Sequence, residues 1–72
     1  MEYILNALLK KYEGDIAVAR ANVQVYINNA VGIGEHSSVV QAVDEQVALI
    51  ADAQDKLNVL NQWNNQKQRF ID

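Results

Sequence analysis

Apolar residues recur along the first part of the chain at helical spacing. Leu5, Leu9, Tyr12, Ile16, Ala19, Val23, Tyr26 and Ala30 alternate in steps of four and three. Those steps hold one stripe of a helix against a partner helix. Ile4, Leu8, Val18 and Val25 widen the stripe on one flank, which suits a bundle better than a two-stranded coiled coil. A second pattern follows in Val40, Val43, Val47, Ile50, Leu57 and Leu60, with Gln54 in or beside the seam. Ala42, Leu49 and Ala53 add a second strip to it. No proline interrupts either pattern.

Between the two patterns lies Gly32-Ile33-Gly34-Glu35-His36-Ser37-Ser38. Glycine accepts positive φ, so Gly32 is a natural stop for the first helix. Ser38 with Gln41 reads as a capping box for the second, with Ser37 or His36 as other caps. Ile33 between the glycines would fold back onto the helix ends. The chain therefore reads as one all-α domain, residues 1–72, an antiparallel two-helix hairpin. Helix 1 is expected over about residues 2–29, the turn over 30–37 and helix 2 over about 38–66, before a polar tail rich in Asn and Gln. A short helix–helix connection pairs residues whose numbers sum to roughly 68, which sets Tyr12 beside Lys56 and Leu5 beside Trp63. Lys10, Lys11 and Lys56 then share a level, with Lys67 and Arg69 nearer the chain ends and Glu35, Asp44 and Glu45 at the turn. A lone hairpin leaves its apolar stripe half covered, so a homo-oligomeric bundle is expected, most simply a dimer.

Composition narrows the chemistry. The chain has 72 residues, no cysteine, one histidine and a net charge of −3. Disulfides and thiolate metal sites are excluded, no all-protein zinc site fits one chain, and no cofactor is expected. Six Lys and Arg spread along an acidic chain argue against duplex nucleic acid, which needs a basic face. Uninterrupted apolar runs are far short of a membrane span. Met1–Leu9 is apolar, but Lys10 and Lys11 follow it, the wrong order for a secretory signal.

Catalysis has little support. His36 has no cysteine to activate, and its neighbour Glu35 does not normally share its direction. A small anion is a better match. Lys10, Lys11, Arg20 and Lys56 supply charge, Tyr12 and Tyr26 supply stacking surfaces, and His36 and Ser37 stand at a helix start where amides favour anions. Each has a plainer role as well: the tyrosines as core, the lysines as solvated surface, the glycine string as a turn and cap.

Tyr12-Glu13, residues 19–26, Val31-Gly32-Ile33-Gly34-Glu35-His36 and residues 43–53 resemble small hypothetical proteins of tailed bacteriophages. Those proteins join an alanine-rich first helix to an acidic second helix through a Val-Gly-Ile-Gly-Glu-His turn. The resemblance covers most of the chain except its Asn/Gln-rich end. In many of them a proline and an acid follow the histidine, where Ser37 and Ser38 stand here, so the cap differs. The resemblance implies a phage origin and action in the host bacterial cytoplasm, and it brings no site residues. Small oligomeric helical phage proteins are often accessory factors, and one class sequesters nucleotide signals of host defence between subunits. The expected function is accordingly non-enzymatic: sequestration of a small anionic, nucleotide-like signal at subunit interfaces. The alternatives are an adaptor or inhibitor that binds a host protein, and a virion or assembly component.

Overall fold

The computed structural model describes residues 2–28 and 36–71, with side chains described within 2–28 and 39–63. Two helices make it up: α1, Glu2–Asn28, and α2, His36–Ile71. Residues 30–35 of the expected turn, including Gly32, Ile33 and Glu35, lie outside the described residues. So do the side chains of the candidate caps and those of Lys67, Arg69 and Phe70. The first helix ends within a residue of its expected end. The second begins two residues earlier than expected and runs five residues further. Asn and Gln cost only a few tenths of a kcal/mol each in a helix, and no proline or glycine follows Gly34 to stop the chain.

The helices pack side by side in antiparallel order. Tyr12 meets Lys56, and ten residues further along α1 Asn22 meets Gln46, ten residues back along α2. That is the register expected of a short connection. The molecule measures 57 × 17 × 13 Å. A 36-residue helix spans about 54 Å at 1.5 Å per residue, so α2 sets the length, and the other dimensions are those of a single layer of two helices.

In α1 every described position of the expected seam, from Leu5 to Tyr26, is half-buried or buried. In α2 the stripe is rotated from the expected one. Val39, Val43, Gln46, Ile50, Ala53, Leu57 and Leu60 face α1, in strict steps of four and three. Val40 and Val47, expected in the seam, are 69% and 50% exposed. Gln54 is exposed too, and its amide donates to the Asn58 side chain at 3.4 Å. The physical reason is the regular step. A seam follows a fixed repeat even where the repeat lands on Gln46 or Ala53 and a neighbouring valine is more apolar. Ala19, Ala53 and Leu60 are the only buried side chains among the described residues, at 1%, 4% and 8% exposure.

Candidate functional site

The heptad repeat builds the site by placing small residues at the bottom of a groove and larger polar and apolar ones on its walls. On one face of the hairpin, Ala19 and Ala53 form the floor. Asp15, Val18 and Asn22 rise from α1, and Gln46, Leu49, Asp52 and Lys56 from α2. The groove has a volume of about 370 Å³.

One end is closed by a polar bridge between the helices. The Asn22 side-chain amide donates to the side-chain oxygen Oε1 of Gln46 at 3.1 Å, partly shielded from water. The other end carries a cluster around Tyr12. Lys11 Nζ lies 5.6 Å and Lys56 Nζ 5.5 Å from the centre of its ring, one cation from each helix. Attraction to the face of a ring is felt at that range. Both lysines also hold carboxylates one turn away, Lys11 to Asp15 at 2.9 Å and Lys56 to Asp52 at 3.0 Å. The Lys56 ammonium is held above the usual lysine value of 10.5, first by its hydrogen bond to Asp52 and then by that carboxylate's charge. Tyr12 and Asp15 push in the same direction.

Of the residues singled out in the sequence, Lys11, Tyr12 and Lys56 come together. Lys10 points its charge to Glu13 at 3.6 Å and does not line the groove. Arg20 is exposed and does not line it, and Tyr26 is a half-buried seam residue nearer the turn. His36 and Ser37 start α2, and their side chains lie outside the described residues. Asp52 stands four residues before Lys56, the favourable order for an ion pair, and that expected pair forms, whereas Asp15, Asn22 and Gln46 were not anticipated. Their signal was present: Asn22 and Gln46 share a level in the expected register, and Asp15 stands four residues from Lys11.

The arrangement is poor in chemistry and rich in contact surface. Each described lysine has a carboxylate within 4.0 Å, so the cluster at the groove is close to neutral. No group of three or more metal-ligating side chains occurs among the described residues, and no helix there is long and apolar enough to cross a membrane. Comparison with protein-family models, curated proteins and solved structures finds no match.

Proposed function

We propose that this chain is a non-enzymatic interaction protein that works as a homo-oligomeric helical bundle, most simply a dimer of hairpins. One observation carries the proposal. Among the described residues three side chains are buried, while ten large apolar ones, from Tyr3 to Trp63, remain exposed. Domains are stable when apolar faces of packed layers cover one another, and this hairpin is one layer. Each Å² of apolar surface covered is worth about 25 cal/mol. Sedimentation equilibrium at micromolar concentration tests the proposal, with a dimer or higher oligomer as the expected result. A well-folded monomer would overturn it. In the assembled form, exposed helix faces are what the bundle offers, so the favoured partner outside the oligomer is a host protein. The accessory phage role and the host cytoplasm belong to the same proposal and draw on the resemblance of the turn and helices.

A second reading has one observation in its favour. Lys11 and Lys56 bracket the Tyr12 ring from both helices, an arrangement that would stack a base and pair a phosphate. It asks that a nucleotide-like anion, shared between subunits, displace Asp15 and Asp52 from those lysines, so it ranks below the first. A panel of cyclic and linear nucleotides should then raise the melting temperature, since a ligand bound only to the folded state must stabilise it. No shift at concentrations far above micromolar removes this reading.

A further inference from the structure

We propose that the grooved face of the hairpin is the dimer contact, and that the second copy lies on it inverted end for end, α1 over α1 and α2 over α2. The proposal rests on the self-association above and specifies its geometry. The twofold axis crosses the hairpin at the level of Glu13 and Gln54.

The groove sets Asp15, Val18 and Asn22 of α1 on the same side as Leu49, Asp52 and Lys56 of α2. A heptad step keeps a residue on its face. In α1, Ile4, Leu8, Lys11, Asp15, Val18 and Asn22 therefore form a second seam, in steps of four and three, beside the one that joins the hairpin. In α2, Leu49, Asp52, Lys56, Val59 and Trp63 do the same. Five of the ten exposed large apolar side chains occupy these two seams: Ile4, Val18, Leu49, Val59 and Trp63. From the turn toward the chain ends the face reads apolar, then charged, then apolar again. The charged belt is itself polarised. Asp15 and Asp52 lie on the turn side of it, and Lys11 and Lys56 on the side of the chain ends.

Two copies meeting by this face share a twofold axis that runs either along the hairpin or across it. An axis along the hairpin lays α1 over α2 at equal levels. Lys11 then opposes the partner's Lys56, and Asp15 opposes the partner's Asp52. Like charges so placed are costly. An axis across the hairpin sets Lys11 against the partner's Asp15 and Lys56 against the partner's Asp52. The same rotation brings Leu8 over the partner's Val18 and Leu49 over the partner's Val59. Both helices give one axis to within a residue, because Glu13 is level with Asp55, the neighbour of Gln54, in the register that joins Tyr12 to Lys56. The groove above Ala19 and Ala53 is then the hole that receives the partner's Leu8 and Val59, and each copy provides one.

The area agrees. The hairpin exposes 5746 Å², whereas a compact monomer of its mass exposes about 4,500 Å². The excess of roughly 1,200 Å² exceeds the ~800 Å² that each partner buries in a standard interface.

The test is the quadruple variant K11D/D15K/D52K/K56D, which reverses the belt and keeps both ion pairs within their helices. Alone it should fold and dimerise, since reversing every charge preserves the match in either arrangement. Refolded with an equal amount of isotope-labelled wild type and weighed by native mass spectrometry, it should avoid the wild type. Mixed dimers should fall to roughly a tenth of the statistical share or less, a discrimination of about 1.4 kcal/mol. An axis along the hairpin reverses the sign and enriches mixed dimers. Mixed dimers at or above the statistical share therefore overturn this geometry and leave self-association standing. Monomers of both proteins would remove the self-association proposal itself. A second variant, L49C/V59C, checks the register in a chain with no cysteine of its own. The two thiols stand about 15 Å apart on one helix, too far to bridge within a chain. Mild oxidation of a dimer should give covalent dimers, and dimers that stay uncrosslinked overturn the register.

Discussion

Lys56 joins more of the described interactions than any other side chain on the groove. It pairs with Asp52, lies over the Tyr12 ring and feels Asp15 across the helix interface. Its ammonium is held above 10.5 in the folded chain, so the folded state binds that proton more tightly than the unfolded state does. The resulting stabilisation is fully present at neutral pH and is lost as pH rises above 10.5 through the folded-state value. Asp52→Asn removes the main cause. The difference in urea-unfolding stability between wild type and Asp52→Asn should be constant at neutral pH and shrink at alkaline pH. A difference that grows there would show the assignment to be wrong. Gly14 has a simpler environment. A Cβ added there meets nothing within 4 Å, and the residue is exposed inside α1. Gly14→Ala should add about 0.5–1 kcal/mol through helix propensity alone. A rise in melting temperature of a few degrees is expected, and a fall would mean that the glycine serves a close approach in the assembled protein.

Within the hairpin, the pairing of α1 with α2 is set by strict repeats on both sides, and Gln46 is the polar step of the α2 seam, bonded to Asn22 beside the α1 seam. Amides in a seam specify register, because any slip leaves a polar group facing apolar neighbours. A double-mutant cycle with Asn22→Ala and Gln46→Ala should return a coupling of about 0.5–1.5 kcal/mol by chemical denaturation. Additive losses would show that the two amides act separately. Replacing both with leucine should preserve or raise stability and loosen the register, seen as broadened or doubled amide resonances.

As a molecule, the hairpin is a layer in search of a second layer. In the proposed oligomer folding and assembly are expected to be coupled, since the apolar face would be covered only there. Ile50 is half-buried in the seam of α2. Ile50→Asp should abolish helicity and oligomer together, with circular dichroism and sedimentation reporting one transition that depends on protein concentration. A variant that stays helical as a monomer would separate the two processes.

The elements, their antiparallel order and the level of Tyr12 with Lys56 were legible in the sequence, because helical periodicity and a short connection are local constraints that act over a few residues. The stripe of α1 was legible for the same reason. The rotation of α2 was not. Hydrophobicity alone favours Val40 and Val47; the expected register sets Gln46 level with Asn22, but only contact with α1 turns Gln46 inward to bond it and places Ala53 on the floor between the helices. The candidate site divides along the same line. Lys11, Tyr12 and Lys56 stood out by type and level, and the Asp52–Lys56 pair was legible from its i,i+4 spacing, but the pairing of Lys11 with Asp15 was decided by side-chain geometry. Packing across the seam decides which face of α2 turns outward, and so which residues line the groove, because contacts between helices are set by three-dimensional register and not by the apolar character of any one residue.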